Sequence, residues 1–478
     1  MDYKHYKCNT VLPLVFDDSL SYYECVCKIQ NAVNSLYDVI DGDINETITN
    51  YINEHLNDLL LQASYSANTN SIILQNNTGS STPVEDGNVT NFIIVDKKYL
   101  CKDEWLHKNT QHVFNIAENG GVGDGTTENS DAFINAIKYC SENNVPLYIP
   151  AGKYYVSRTL TVENNATIEI FGVGKDSIIQ TSAVTGLFFK HHSIINAHDF
   201  SIEGTATNDI CIESYARNSL FDHLFINCQN IGIRFCNHDN TISNCIIEQK
   251  SDTNQKEKAA IVADVLDGDD GVNWSVNNKI IGNSVTSNIN CFAVVKSRNG
   301  HIQEGIICSN NNFLSTGVVA CYISSLFVGL FTNNVFDLAT KYAVMLDGNA
   351  VSYITITNCY LKGNMYGLYS FNAPEITIKN CTIFNSAGGV YFGGPESKNI
   401  IVAGNQISVS DVCVWMDKIF NVSLTENMCM TTGATYLYFD DNSGTAGIVT
   451  GHNFKTATSG KLGHFTESTI TVTETNMK

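Results

Sequence analysis

Carboxylates and aromatic residues recur late in this chain at an almost constant interval, which would set them over one another if each interval were one turn of a coil. Short apolar runs end at Ser324, Asp347, Ser370, Gly393, Asp417 and Asp440, at spacings of 23, 23, 23, 24 and 23 residues. If these runs are stacked parallel strands, equivalent positions form columns and successive positions face opposite ways. The outward columns are then Met345, Leu368, Tyr391, Trp415, Tyr438 and, beside them, Asp347, Ser370, Gly393, Asp417, Asp440. Asp417 and Asp440 fall on adjacent strands, about 4.8 Å apart at the backbone, which couples their titrations and raises one of the two. A protonated and an ionised carboxyl group are what glycosidic hydrolysis uses, about 5 Å apart for retention and roughly 6.5–9.5 Å for inversion. Trp415, Tyr438 and Tyr391 are rings of the kind that lie against the apolar side of a sugar.

A second group of acids comes from one oversized interval. Asn244 to Asn283 spans 39 residues, and the excess of about 15 is expected to leave the stack as a loop able to carry binding or catalysis. Glu248, Asp264, Asp267, Asp269, Asp270 and Trp274 lie in or beside it. Plainer readings stand next to both groups. The outward stripe from Met345 to Tyr438 is equally a surface between subunits. Asp267-Gly268-Asp269-Asp270 is more often a solvated turn than a catalytic pair.

The elements that must position these residues follow from a repeated Asn–any–apolar pattern. It occurs at Asn334, Asn358, Asn380, Asn405, Asn427 and Asn453, at spacings of 24, 22, 25, 22 and 26. Each interval holds two or three short runs rich in β-formers, separated by Asn, Gly and Ser, so a parallel β-solenoid is expected. Its inward columns are Val344, Gly367, Val390, Val414, Leu437 and Leu346, Tyr369, Phe392, Met416, Phe439. The repeated Asn is expected to form a turn ladder, its amide bonded to neighbouring rungs. Cys228, Cys245, Cys359 and Cys381 each follow an Asn, so these members of a set of 16 cysteines are expected in equivalent rung positions as buried, reduced thiols. No C-x-x-C set with partner histidines occurs, and His191-His192 reads as a surface turn, so no metal and no cofactor are expected.

A chain of 478 residues with 43% hydrophobic and 16% charged side chains can hold a long repeat body with appendages. Its formal charge of −20 and pI near 4.9 speak against nucleic acid as a partner. No secretory signal and no run of about 18 apolar residues is present, so no membrane insertion is expected. Residues 1–61 read as an extended lead followed by a helical stretch. Ile29, Val33, Leu36, Ile40, Ile44, Ile48, Ile52, Leu56 and Leu59 step along it by three or four. That stripe needs a partner: a copy of itself in a coiled bundle, or its own chain folded back. Residues 62–112 read as a neck with a short β segment at Asn91–Cys101, residues 113–455 as the solenoid with a capping helix at 129–143, and residues 456–478 as a tail.

From Phe114 the text changes. Gly121-Val122-Gly123-Asp124-Gly125-Thr126-Thr127 is a glycine-dense turn before a helix marked by Ala132, Phe133, Ala136, Ile137 and Cys140. No Lys-Ser/Thr pair follows, so a structural turn is preferred over a phosphate cradle. That turn, the helix and Leu147-Tyr148-Ile149-Pro150-Ala151-Gly152-Lys153-Tyr154-Tyr155-Val156 together resemble the opening module of pectate-lyase-like β-helix proteins, a group that includes many phage tailspikes. Val11-Leu12-Pro13-Leu14-Val15-Phe16-Asp17-Asp18, continuing to Glu24, resembles the virion-attachment end of appendage or tail proteins in phages of Gram-positive hosts.

The resemblance implies a fold: all-β, a right-handed single-stranded parallel β-helix behind an N-terminal helical attachment segment, assembled as a homotrimer. It also implies a role as a tailspike or pre-neck appendage that binds a host cell-surface polysaccharide and often cuts it. Residues 1–61 would dock on phage tail, collar or neck proteins. The protein would reside in the virion after assembly in the host cytoplasm. The site motifs of polygalacturonases and the calcium and arginine set of pectate lyases are missing, so no family mechanism transfers. Carboxylate chemistry then favours a glycoside hydrolase over a lyase, and the alternative is a noncatalytic receptor-binding spike.

Overall fold

The computed structural model describes residues 113–251, 258–264, 275–295 and 303–439, apart from isolated positions, together with the backbone of strands between 62 and 101 and between 446 and 477. The chain divides into two units, Met1–His112 and Val113–Lys478. In the first, strands Gln62–Ser66, Ser71–Gln75, Asn91–Val95 and Lys98–Cys101 pair antiparallel in sequence order. They occupy part of the stretch read as neck. The helical stripe from Ile29 to Leu59 lies outside the described residues.

The second unit is a three-walled parallel solenoid. Its strands fall into sheets of 16, 15 and 13 strands, and each turn of chain contributes one strand to each wall in fixed order. Val351–Thr357, Tyr360–Gly363 and Tyr366–Phe371 are the first, second and third walls of one rung; Ile376–Lys379, Thr382–Ser386 and Gly388–Gly393 are those of the next. A strand of four to six residues with one buried face cannot hold itself. It is stable because the strands above and below satisfy its backbone while its alternate side chains enter a shared interior. Phe292, Phe313 and Phe336 stack up that interior at 6.2 and 5.3 Å, with Phe221, Phe235, Phe331 and Phe392 fully buried around them. The walls continue through Lys461–His464, Thr469–Thr473 and Asn476–Met477, so residues 456–478, read as a tail, carry further strands of the solenoid.

At the lower end the helix Ser130–Asn143 takes the place of a third-wall strand. It buries Phe133, Ala136, Ile137 and Cys140, which share one helical face, and Phe133 meets Tyr154 edge-on at 5.9 Å. The glycine-dense turn serves this junction. Asp124 accepts from the Thr126 and Thr127 amides at 2.8 and 2.7 Å and from Thr127 Oγ1 at 2.7 Å. The backbone donors that a phosphate would need are thus taken by a carboxylate, which the Thr127 amide above all holds well below its usual range. Gly123 and Gly152 pass so closely that a Cβ on either would stand 3.1 Å from the other's Cα.

The ladder differs from the sequence expectation in its register. Between first and second walls the chain turns on two residues: one in the left-handed region (Gly282, Asn310, Asn333, Asn358, Asn380, Gly404, Glu426), then one whose side chain points along the stack. The second position holds Cys245, Asn283, Asn311, Asn334, Cys359, Cys381, Asn405 and Asn427. From Asn283 upward each side chain accepts from the backbone N–H of the member below, at 2.9 Å for Asn311 to Asn334 and 2.8 Å for Cys381 to Asn405. At two rungs the acceptor is sulfur, both at 3.4 Å: Cys359 Sγ for Asn334 N, and Cys381 Sγ for Cys359 N. Asn358 and Asn380 therefore set the turn rather than the ladder. Cys228 belongs to neither position, lying in second-wall strand Phe225–Cys228. The described cysteines form no disulfides and are buried, and burial pushes the Cys140, Cys211 and Cys245 thiols up to about 12.

Asn405 bonds Ile378 O at 3.1 Å and Asn427 Oδ1 at 2.9 Å while receiving Cys381 N. Asn405→Ala strands several of these buried groups at roughly 1–3 kcal/mol each, so its urea midpoint falls clearly. Asn358→Gly, at a left-handed turn position, changes the stability by only about a few tenths of a kcal/mol and barely moves the midpoint. Equal losses in the two variants would contradict this division of roles.

Candidate functional site

The third wall carries one outward column from bottom to top: Phe188, Glu213, Arg234, Val262, Ala293, Tyr322, Met345, Tyr369, Tyr391, Trp415 and Tyr438. One rung departs from the expected register. Val344 pairs with Leu368 and Met345 with Tyr369, so Leu368 points inward, fully buried, and Tyr369 outward. Ser370 follows Leu368 to the interior. The cause is turn length: a constant interval of 23 counts to Gly367, but this rung's turns are one residue longer. Gly367 itself has no room for a Cβ, which would come within 2.5 Å of Ile383.

The column passes through three environments. Val262, Ala293, Tyr322 and Met345 face outward yet are buried, packed with Ala259, Val295 and Val319. This closed patch separates a polar cluster below from an aromatic ladder above.

In the ladder, Tyr342, Tyr369 and Tyr391 stack face to face at 4.6 and 4.7 Å with interplanar angles of 24° and 6°. Rings stacked along the axis spend their faces on one another and present edges and hydroxyls outward. Trp415 breaks the stack, standing at 65° to Tyr391 and 63° to Tyr438. Half-buried, with its Nε1 buried and unbonded, it is the ring here that is turned across the others. Burial, reinforced by Asp417, raises the Tyr391 hydroxyl, and burial raises that of Tyr369. Both remain hydrogen-bond donors. Tyr391 Oη donates to Asp417 at 3.4 Å, and Tyr322 Oη donates to Asp347 at 3.2 Å.

Asp264, Asp347 and Asp417 share the neighbouring outward column, with Val295 and Ser324, then Phe371 and Gly393, between them. Three rungs separate each from the next, about 14 Å at roughly 4.8 Å per rung, too far for a hydrolytic pair. Glu248 faces solvent on the second wall, away from all three. The oversized interval contains third-wall strand Ile261–Ala263. Asp267, Asp269, Asp270 and Trp274 lie there outside the described residues, as does Asp440. The structure thus brings Asp417, Tyr391, Trp415 and Tyr438 together, and places Asp264 in the separate lower cluster.

That lower cluster is what sequence reasoning missed. Arg234 reaches Asp264 at 2.5 Å and Glu213 at 3.7 Å, with all three side chains mostly shielded. Thr185 Oγ1 and Tyr215 Oη donate to Glu213 at 3.3 and 3.2 Å, and Tyr215 stacks on His191 at 4.7 Å. Burial works against the Arg234 charge, but Asp264 and then Glu213 overcome it and hold the guanidinium charged. Two carboxylates sharing one arginine are good fixed hydrogen-bond acceptors. A constant interval does not find it, because from Tyr322 the column steps down by 29, 31, 28 and 21 residues to Ala293, Val262, Arg234 and Glu213.

Residues 305–476 match a family model described as the right handed beta helix region. The fold is a right-handed parallel β-helix. The Agl-KA catalytic domain is similar in structure, with a TM-score of 0.55 and 13% identity over 76% of this chain and 68% of its own. Tailspike protein 3 of bacteriophage CBA120 also has a TM-score of 0.55, with 12% identity over 91% of this chain and 67% of its own. At these identities the likeness is one of fold. No curated protein matches the sequence.

A further titratable cluster lies on the first wall. His198 Nδ1 meets Asp199 at 2.8 Å and Nε2 meets Glu169 at 3.1 Å, with Phe171 stacked on its ring at 5.6 Å. Burial alone would lower this histidine, but the bonds to Asp199 and Glu169 raise it above 6.5. A raised folded value means that the stabilisation is complete below the unfolded value and is lost as pH climbs through the folded one. The denaturation midpoint of His198→Gln should therefore lie below wild type at pH 5.5 and approach it at pH 8.5. A gap that widens with pH would contradict the assignment.

Proposed function

We propose that this β-helix is the receptor-recognising body of a phage tailspike or appendage, which takes a host cell-surface polysaccharide along its third wall and depolymerises it. The observation that carries the reading is Trp415, set across the tyrosine stack beside Asp417. A ring face next to a carboxylate and a row of phenolic donors is a surface that matches a pyranose, apolar on one side and hydroxylated at its rim. The fold shared with the CBA120 tailspike protein and with the Agl-KA catalytic domain supports the same class. In this reading Asp417 is one member of an acid/base pair completed by Asp440, and Tyr438 and Tyr391 flank the bound sugar. Asp267, Asp269, Asp270 and Trp274 contribute to catalysis or binding at the same polymer. Hydrolysis is favoured over lyase chemistry because the groups set beside Trp415 are a carboxylate, Asp417, and the Tyr391 hydroxyl that donates to it and is held protonated.

The molecule acts as a homotrimer, anchored by residues 1–61 to tail, collar or neck proteins of the virion. A second reading, adhesion without cleavage, is favoured by the wide separation of Asp347 and Asp417 and by the arginine shared between Glu213 and Asp264.

Incubation with purified host envelope polysaccharide should release reducing ends and no unsaturated sugars. Asp417→Asn lowers that rate by about 10²–10⁴-fold, the scale of a lost acid or base, with unchanged folding by circular dichroism. Trp415→Ala weakens binding about tenfold. Tight binding without any released ends would select the adhesion reading, and wild-type rates in both Asp417→Asn and Asp440→Asn would remove the catalytic assignment.

A further inference from the structure

The first wall contains a feature that the third-wall reading does not use. Each of its upper strands is bent at one residue in the left-handed region, and these residues form a column: Asn277, Gly305, Val328, Tyr353, Glu375, Asn399 and Asn421, with φ from 54° to 69°. Asn and Gly tolerate this conformation; Val, Tyr and Glu pay a steric penalty for it. A bend that four rungs make with Asn or Gly needs no tyrosine for its shape. Strained residues of this kind mark places where the side chain is wanted for something else.

Tyr353 stands beside a cleft of about 340 Å³ on the outer face of this wall, lined further by Thr355, Glu375, Thr377, Asn399 and Ser423. Its side chain is 52% exposed, and Phe327 supports it edge-on at 5.2 Å and 77°. The cleft is built for hydrogen bonding in both directions. Asn421 Nδ2 donates to Asn399 Oδ1 at 2.6 Å, and Asn399 Nδ2 donates in turn to Glu375. That chain fixes Glu375 as the terminal acceptor, while Thr355 and Thr377 set hydroxyls on adjacent rungs of the same face and Ser423 adds a third two rungs above, beyond Ile401. No lysine or arginine lines the cleft.

We propose that this cleft is a second, noncatalytic glycan subsite, which takes an uncharged pyranose with its apolar side on Tyr353 and its vicinal hydroxyls on Glu375. Exposed ring, carboxylate acceptor and these hydroxyls are the donor and acceptor set of such a sugar. An acidic glycan is disfavoured, because its negative groups would meet Glu375 with no cation to offset them. The inference rests on the glycan-binding reading of this chain but uses a different wall, so the two sites hold separate stretches of polymer and raise avidity.

The test titrates the full chain with oligosaccharides from partial hydrolysis of host envelope polysaccharide, by calorimetry and saturation-transfer NMR. Tyr353→Asn removes the ring while leaving a residue suited to the backbone, so it should fold with an equal or higher Tm. Glu375→Gln keeps the shape and alters the acceptor. Both should lose one class of sites, with at least tenfold weaker binding there, while the sites lost in Trp415→Ala persist. Unchanged titrations for Tyr353→Asn and Glu375→Gln, with Trp415→Ala impaired, would overturn this subsite and leave the third-wall reading standing. No binding of any host oligosaccharide by wild type would overturn both. A change of oligomeric state in Tyr353→Asn by sedimentation, with glycan affinity intact, would instead make this face a contact between copies and overturn the subsite.

Discussion

Everything on the surface of this β-helix depends on vertical registration, and the buried ladder between its first and second walls is what enforces it. Parallel strands of four to six residues can slide, and a slip of one residue would exchange the two faces of a wall. Asn283, Asn311, Asn334, Asn405 and Asn427 prevent this, because each side chain bonds the backbone of an adjacent rung inside the barrel. A displaced rung would leave those groups buried without partners, at a cost comparable to a sizeable share of a domain's net stability. The columns of the third wall are aligned because this ladder is.

Given that alignment, the chemistry of the outer face follows from what stacking does to rings and charges. Tyrosines placed one above another bind each other and offer hydroxyls; a tryptophan turned across them offers a face. Carboxylates in one column are kept apart by intervening rungs unless they occupy neighbours. Where two do come near a common point, as Glu213 and Asp264 do, Arg234 is there to neutralise them. The first wall has another character, with amides and hydroxyls where the third has aromatics.

The period, the walls, the glycine turn and the lower helix are legible in the sequence because each is a local pattern repeated or bounded by turn residues. The register is less so. Asn358 and Asn380 look equivalent to Asn334, yet they serve the bend while Cys359 and Cys381 serve the ladder, since asparagine suits both positions and letters do not distinguish them. Leu368 and Tyr369 exchange faces because turn lengths vary by a residue, and only the interior, which must hold Leu368, settles the count. Glu213 and Arg234 escape notice for the opposite reason. Single charged residues in an apolar strand carry no periodic signal of their own, and their relation to Asp264 exists only once three rungs are stacked.

The two sulfur positions have a mechanical meaning. Thiols at 3.4 Å are weaker acceptors than amide oxygens at 2.8 to 3.0 Å, so coupling between neighbours is softest from Asn334 to Cys381. In a one-dimensional stack, where cooperativity passes only from each unit to the next, a soft joint divides the column into two blocks that can loosen independently. A rod loaded along its length would flex at that seam first, leaving the tryptophan-bearing upper block intact as a unit.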